Sequence, residues 1–207
     1  MSTTTSTSTT TTTSPTTTAP PLPVPRVEAV TASDLPASWR PGCPVGPEQL
    51  RRIVVAHLGF DGADHVGVLI AHADWADRLV EAFGRLHAAG FPIERMEPVD
   101  AFGGSDDASM AVNNTSAFNC RPVTGGTGWS RHAYGLAIDI NPRQNPYVTG
   151  NGTVLPPEGA PFAYDRSPRQ GVITADGPVV EVFASLGWQW GGFWSDPVDY
   201  QHVDRSG

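Results

Sequence analysis

The 207-residue chain contains no lysine, so all 13 of its basic residues are arginines. A mechanism that needs a lysine Schiff base or a lysine nucleophile is therefore excluded. Acidic residues outnumber the arginines by 21 to 13, and the formal net charge is -8 with a pI near 5.1. Polybasic surfaces that bind nucleic acids or anionic lipids need the opposite balance. The charge pattern thus argues against nucleic acids and membrane surfaces as partners.

The sequence also lacks an apolar run of about 18 residues, so no segment is expected to span a membrane. Of the first 25 residues, 21 are Ser, Thr or Pro, and none is charged. This stretch has neither the basic start nor the apolar run of a secretory signal. Nothing in it offsets the entropy cost of ordering the chain. We predict a disordered Ser/Thr/Pro-rich tail or linker over residues 1–36 and a single domain over residues 37–207.

Regular patterns predict one hairpin and two longer helices. β-branched residues dominate 51–58 and 65–71, which a Gly/Asp-rich turn separates. Apolar residues recur at helical spacing over 74–89 and 178–186. Weaker patterns favour a short helix at 106–112 and strands at 91–99, 117–121, 136–140 and 200–204. Because strands and helices segregate along the chain, we predict an α+β fold with a small antiparallel sheet and flanking helices.

Two of the six histidines lie in settings that the other four lack. Asp139 follows His132 by seven positions, and His202 follows Asp199 by three. Two imidazoles and one carboxylate are a common ligand set for a catalytic Zn²⁺, which keeps a fourth position for water. Spacing alone leaves a plainer interpretation open, in which the histidines are hydrogen-bonded structural residues and Asp139 is a turn residue.

A catalytic zinc site also needs a base close to its water. Asp199 can supply that base without binding the metal if the chain turns at Pro197. Asp204 is the alternative, because it lies two residues beyond His202 on the same strand face. From there it could instead orient the imidazole of His202.

The pattern S-x-H-x-x-G-x-A-x-D at residues 130–139, followed by D-x-x-H at residues 199–202, resembles a known signature. It is similar to that of the D-alanyl-D-alanine carboxypeptidase and L-alanyl-D-glutamate endopeptidase family of zinc peptidases. The resemblance implies that His132, Asp139 and His202 hold zinc and that Asp199 is the general base. It also implies the small α+β architecture shared with the hedgehog signalling domain.

The same resemblance assigns residues around the substrate. Arg121 matches an upstream arginine that polarises the scissile carbonyl, and Ser130 matches a serine near the substrate. Tyr134 and Trp194 are expected on the walls of an open groove. Asp199 at the base position resembles the endopeptidase branch, whereas many carboxypeptidases have glutamate there. The L-alanyl-D-glutamate and D-alanyl-D-alanine bonds therefore both stay open as the cleaved bond.

Cys43 and Cys120 are the only cysteines in the chain. A disulfide between them is favoured over a second metal site, because two thiolates would need further ligands and none lie nearby in the sequence. A disulfide would place the protein outside the cytoplasm, and the family resemblance implies a bacterial protein. We therefore expect it in the extracellular space or cell envelope of a bacterium.

We therefore expect a monomeric zinc peptidase that hydrolyses peptidoglycan stem peptides with a zinc-activated water. The alternative function is a cell-wall binding module of the same fold that retains zinc but does not hydrolyse its ligand. A third interpretation, a structural domain on a Thr-rich stalk, predicts no bound metal.

Overall fold

The computed structural model describes residues 1–2 and 24–205. Most of the predicted Ser/Thr/Pro-rich tail, residues 3–23, lies outside the described residues. The described part mixes α-helices with small, mostly antiparallel sheets, which confirms the predicted α+β class. Within this part, no helix is both long enough and apolar enough to cross a bilayer.

The described residues form two nine-residue strands, several shorter strands, three α-helices and several 3-10 turns. The helices are α1 (Ala76–Ala88), α2 (Asp106–Ala111) and α3 (Pro178–Ser185). The strands are β1 (Arg26–Ala29), β2 (Leu50–Leu58), β3 (Asp64–His72), β4 (Arg95–Met96), β5 (Asn114–Thr115), β6 (Ala137–Asp139), β7 (Tyr147–Val148), β8 (Val154–Leu155), β9 (Gln189–Trp190), β10 (Val198–Asp199) and β11 (His202–Asp204).

The largest sheet has the antiparallel order β1-β2-β3. The predicted hairpin is confirmed, with β2 and β3 paired along their whole length from Leu50↔His72 to Leu58↔Asp64. Their buried face packs against α1, whose apolar stripe includes Leu79, Phe83 and Leu86. Burial of that stripe holds the helix on the sheet, because helices of this length depend on tertiary packing for stability.

Among the described residues, the first strand starts at Arg26, before the predicted domain boundary at residue 37. Strand β1 pairs with β2 from Arg26↔Val54 to Ala29↔Arg51. All four residues of β1 are exposed, so the alternation of polar and apolar residues in R-V-E-A does not mark a buried face. Backbone pairing with the edge of β2 holds β1 in place. This strand was not predicted from the sequence.

A second antiparallel sheet, with order β6-β11-β9, lies in the C-terminal half of the chain. Asp139 on β6 is directly opposite His202 on β11, and Val203 is opposite both Ile138 and Trp190. Ile138, Val203 and Trp190 join the same apolar core as α1 and α3. The apolar residues of this sheet thus fix the position of the polar pair Asp139 and His202 at one end of β6 and β11.

Two predicted strands are mostly absent, for identifiable reasons. In the predicted strand 91–99, Arg95–Met96 pairs in parallel with β5, and Pro92 forms an isolated parallel bridge with Leu58. A longer ladder does not form, because Pro92 and Pro98 have no N–H to donate to it. The segment 117–121 is irregular, since its backbone N–H groups bond to three different partners: Phe118 to Ile70, Asn119 to His132, and Cys120 to Ser38.

The disulfide between Cys43 and Cys120 is confirmed, with a Cα–Cα distance of 5.8 Å. Both cysteines contribute to a second apolar cluster around Leu35, Leu50 and Phe118. The guanidinium of Arg40 also donates to the carbonyl of Cys120 at 2.7 Å. The segment after β1 is therefore joined to the residues that lead to Arg121.

Candidate metal centre

His132, Asp139 and His202 come together in the interior, with one potential ligand atom of each within 4.8 Å of the others. His132 Nε2 lies 3.2 Å from Asp139 Oδ2 and 3.2 Å from His202 Nδ1. His202 Nδ1 lies 3.1 Å from Asp139 Oδ1. All three side chains are buried. The two parts of the sequence motif therefore meet at a single point.

A short turn positions His132. Residues 131–134 form a 3-10 turn that begins after Ser130, whose hydroxyl accepts a hydrogen bond from the His132 backbone N–H at 3.3 Å. Gly135 ends the turn with φ +66°, and a Cβ there would lie 2.6 Å from the backbone N of His72. Glycine is needed at this position both for the left-handed backbone and for the close approach of β3.

The orientation of the His132 ring is fixed by a hydrogen bond on its other side. His132 Nδ1 lies 2.6 Å from the carbonyl oxygen of Ala117. A carbonyl only accepts, so Nδ1 carries the proton and Nε2 of the neutral ring keeps its lone pair. That lone pair points toward Asp139 and His202. Metal-binding histidines are held by this kind of second hydrogen bond.

The electrostatics of the three groups are strongly linked. Burial by itself would raise the pKa of Asp139, but the neighbouring His132 and His202 outweigh burial and hold it far below its usual range. Burial would lower the pKa of His202, yet the hydrogen bond and charge of Asp139 produce a net rise. The site therefore carries a carboxylate that attracts positive charge in a low-dielectric interior.

The donor set fits a zinc ion. Two imidazole nitrogens and a carboxylate oxygen converge, the carboxylate is ionised, and one imidazole has its lone pair fixed toward the others. Three protein ligands with an accessible side are the arrangement of catalytic zinc sites, whereas structural sites use four. The accessible side is supplied by a cavity of about 290 Å³ whose lining includes His132, His202 and Asp199.

Asp199 lies on the wall of this cavity, on β10 and close to the convergence point. It is nearly buried, and within the described residues its Oδ1 has no hydrogen-bond partner. Burial raises the pKa of Asp199 to about 7, while His202 pulls in the opposite direction and Asp139 adds to the rise. A carboxyl group with a pKa near neutrality can both take up and release a proton at physiological pH.

A comparison with protein-family models identifies the part of the chain that carries this geometry. Residues 124–205 match the model described as D-alanyl-D-alanine carboxypeptidase. This segment is similar to that peptidase family. The predicted family is thus confirmed on the segment that contains all four motif residues, His132, Asp139, Asp199 and His202. Neither a curated protein nor a solved structure matches the chain.

Arg121 lies just outside the segment that matches the peptidase family, but it reaches the same cavity. Its Nη2 forms an ion pair with Asp106 Oδ2 at 2.9 Å, and its Nη1 donates to the carbonyl of Pro122 at 3.3 Å. Ser130 also lines the cavity, and its backbone N–H donates to the carbonyl of Arg121 at 3.1 Å. The structure thus brings Arg121 and Ser130 to the motif residues.

Of the two residues predicted on the walls of the substrate groove, Trp194 lines the cavity and Tyr134 does not. Trp194 lines the cavity, and its ring centroid lies 5.3 Å from that of His202. Trp194 also lines a neighbouring apolar cavity of about 340 Å³ formed by α3 and β9. Tyr134 is not among the residues that line the motif cavity. It packs instead against the apolar cluster of Leu50 and Phe118.

Two polar residues at the site, Tyr147 and Asp106, were not predicted from the sequence. Tyr147 reaches the cavity because β7 pairs with β10, which places Tyr147 opposite Asp199. Asp106, the first residue of α2, reaches Arg121 through the ion pair. Neither residue belongs to a motif, and both contacts arise from long-range pairing. The sequence analysis placed Asp106 at the start of a short predicted helix and assigned it no role.

Asp204, the alternative base, has a different environment from Asp199. It is buried on β11, two residues beyond His202, and its Oδ2 lies 3.8 Å from Arg131 Nε. Its negative charge contributes to the raised pKa of His202. A carboxylate engaged by a guanidinium is less available as a base than Asp199, whose Oδ1 has no partner among the described residues.

Proposed function

We propose that this protein is a zinc-dependent peptidase that hydrolyses the stem peptides of bacterial peptidoglycan. One observation carries the proposal: His132, Asp139 and His202 converge within 4.8 Å beside a buried carboxyl group, Asp199, that opens onto a cavity. The family match supports the peptidase class, and its description names a D-alanyl-D-alanine bond. The cavity and its arginines support an anionic peptide substrate.

His132 Nε2, His202 Nδ1 and a carboxylate oxygen of Asp139 would hold the zinc ion. When bound, zinc supplies Lewis-acid polarisation of the peptide carbonyl and lowers the pKa of a water molecule toward neutrality. The His132 Nδ1–H stays bonded to the carbonyl of Ala117 at 2.6 Å and keeps the ring aimed at the metal position. Replacement of either imidazole would remove one of only three protein ligands.

Asp199 is proposed as the general base. Its carboxylate accepts a proton from the attacking water and returns it to the nitrogen of the leaving amine, so one group serves both half-reactions. Burial raises the pKa of Asp199 to about 7, and a neighbouring dication would lower this value by favouring the charged form. The base is therefore ionised at neutral pH when the metal is present.

Arg121 is proposed to stabilise the negative charge that develops on the scissile carbonyl oxygen. Its guanidinium is held at the cavity wall, where most of the side chain is shielded from water. Arg131 lines the same cavity, so two positive groups face a region that an acidic peptide would enter. Ser130 and Trp194 are proposed to contact that peptide.

The disulfide supports a location outside the cytoplasm, because such bonds persist in oxidising compartments. We propose that the protein acts in the extracellular space or the cell envelope of a bacterium. His132, Asp139, His202 and Asp199 come together within one chain, and we propose that the protein acts as a monomer.

The decisive experiment combines metal analysis with digestion of purified muropeptides. Wild-type protein should bind one zinc per chain and produce new amino termini, which mass spectrometry assigns to a bond. Release of free D-alanine identifies carboxypeptidase activity, and separation of L-alanine from D-glutamate identifies endopeptidase activity. Protein that is fully loaded with zinc but releases nothing would overturn the proposal in favour of a binding module. Protein that binds no zinc would overturn both.

A further inference from the structure

We infer that Asp106 is a positioning residue that holds Arg121 in place at the cavity wall. The inference rests on the proposed function, because it assigns Asp106 a role through the arginine that stabilises the scissile carbonyl. Asp106 lies outside the peptidase motif and outside the segment that matches the family model. It was not among the residues that the sequence pointed to.

The contact itself is short and shielded. Asp106 Oδ2 lies 2.9 Å from Arg121 Nη2, and the two side chains are only 23% and 21% exposed. Burial raises the pKa of Asp106, and the positive charge of Arg121 opposes that rise. Charge-assisted hydrogen bonds of this kind are shorter and stronger than neutral ones. Each partner therefore depends on the other to offset its loss of hydration.

Both partners stand on anchored backbone. Helix α2 begins at Asp106, its first turn is capped by the Ser105 hydroxyl at 3.2 Å, and the Ser109 hydroxyl accepts from Asn114 Nδ2 at 2.9 Å. Arg121 directly follows the disulfide-bonded Cys120. Because neither end is free to shift, the ion pair sets the direction in which the guanidinium points.

A second carboxylate explains why the arginine needs a fixed partner. Asp199 lines the same cavity as Arg121, and the Arg121 charge acts on it. An unrestrained guanidinium would be drawn to Asp199 and would neutralise the proposed base. In the structure, Arg121 pairs with Asp106, and Asp199 Oδ1 has no partner in the described part of the chain. Asp106 therefore keeps the arginine and the base apart.

The test compares Asp106→Ala with Arg121→Ala and with the double variant. Loss of an oxyanion donor costs about 10²–10³ in kcat, so this is the expected effect of Arg121→Ala. Asp106→Ala should lower kcat by about 10- to 100-fold with little change in KM, because the lost interaction is made mainly in the transition state. In the double variant, loss of Asp106 should add nothing to the loss caused by Arg121→Ala.

Matched variants separate positioning from a general structural effect. Asp107→Ala removes an exposed carboxylate from the same turn of α2 and should keep wild-type kcat. Asp106→Asn keeps the shape of the side chain if the alanine variant folds poorly, and Asp106→Glu should recover part of the activity. Full kcat in a folded, zinc-loaded Asp106→Ala variant would overturn the inference, as would additive losses in the double variant.

A measurement that does not depend on turnover keeps this test separate from that of the proposed function. The Arg121 side-chain Nε–H resonance should show restricted motion in the wild type and in Asp107→Ala, and fast motion in Asp106→Ala. Equal order in all three proteins would overturn the role of Asp106 even in an inactive enzyme. Absence of peptide cleavage by the zinc-loaded wild type, with the expected change in Arg121 mobility, would overturn only the proposed function.

Discussion

The sheet β1-β2-β3 with its helix α1 and the sheet β6-β11-β9 with its surroundings are built in different ways. Strands β2 and β3 each have nine residues, pair from end to end and bury an apolar face. The strands β6, β11 and β9 have only two or three residues, and their region contains most of the buried polar side chains. The first region is a scaffold, and the second is a shaped polar interior.

Side-chain hydrogen bonds replace the ladder in the second region. Asn145 Nδ2 donates to the carbonyls of Ile140, Asn141 and Gly171 at 2.9 to 3.2 Å. Arg166 Nη2 donates in turn to Asn145 Oδ1 at 2.6 Å. Such a network fixes loops without extended strands, and each buried member is costly if it loses its partner. The scaffold therefore supplies stability, and the polar region positions the side chains of the site.

The largest effect in the polar region is expected from removal of a metal ligand. His202→Ala should abolish tight zinc binding and peptide hydrolysis, because two protein ligands cannot hold a catalytic ion in place. Zinc content after dialysis and muropeptide turnover measure the effect. His65→Ala, which changes an exposed histidine on β3, is the matched control. Stoichiometric zinc in the His202 variant would show that the ligand assignment is wrong.

Asp199→Asn should keep zinc and lower turnover by about two to four orders of magnitude, the scale of a positioned acid–base group. The amide cannot accept the proton of the attacking water, yet it preserves the shape of the side chain. Asp176→Asn, at an exposed position, is the control for the charge change. If Asp204→Asn were the inactive, zinc-loaded variant and Asp199→Asn were active, the two roles would be exchanged.

The scaffold should respond in the opposite way. Leu79→Ala deletes a fully buried side chain of α1 and should lower the free energy of unfolding by about 2–5 kcal/mol. The folded fraction should keep its zinc and its kcat, because the site is formed by other elements. Urea unfolding and single-turnover kinetics measure the two quantities, with Glu81→Ala on the exposed face of α1 as the control. A fall in kcat equal to that of the site variants would contradict the separate roles of the scaffold and the polar region.

The buried carboxyl group Asp199 should also make stability depend on pH in metal-free protein. Its pKa is about 7 in the fold against an ordinary value of 3.8. The raised value contributes stability that is complete below the ordinary pKa and is lost as the pH rises through the folded one. The limiting slope is about 1.4 kcal/mol per pH unit.

The same variant, Asp199→Asn, should remove this contribution and so be more stable than the metal-free wild type at about pH 8. Urea unfolding at several pH values, with and without chelator, measures the difference. A zinc-loaded wild type should lose less stability with rising pH, because the cation favours the charged carboxylate. Identical pH profiles of variant and wild type in chelator would contradict the burial argument.

The smallest expected effect concerns the cavity wall. Trp194→Ala should raise KM by about tenfold, equivalent to about 1.4 kcal/mol of binding, with little change in kcat. Tyr164→Ala, which removes an exposed aromatic ring that does not line the cavity, should leave KM unchanged. A change in kcat without a change in KM would assign Trp194 to the catalytic step rather than to substrate binding.

The two regions also differ in how far the sequence could predict them. The hairpin and α1 were predicted well because Ile53, Leu69 and Leu79 belong to regular apolar patterns. The metal-site residues were predicted by a motif rather than by periodicity, and His132, Asp139 and His202 meet as that motif implies. Their strands, at Ala137–Asp139 and His202–Asp204, are shorter than predicted, although backbone hydrogen bonds from Ile140 to Gln201 and from Arg205 to Leu136 continue the pairing at both ends.

What the sequence could not predict depends on contacts between distant segments. Tyr147 is placed by the pairing of β7 with β10, and Asp106 by the packing of α2 near Arg121. Strand β1 has no buried side chain that would distinguish it from a linker. In each of these cases the local residues are compatible with several environments, and the tertiary fold selects one.

The bond between Cys43 and Cys120 has a practical consequence for every assay of this protein. It closes a separation of 77 residues and ends one position before Arg121, so the arginine is reliably placed only after oxidation. Material made in a reducing bacterial cytoplasm would contain the zinc ligands but a loosened arginine. Weak activity in such a preparation would reflect the missing disulfide. The thiols should therefore be titrated before any variant is compared with the wild type.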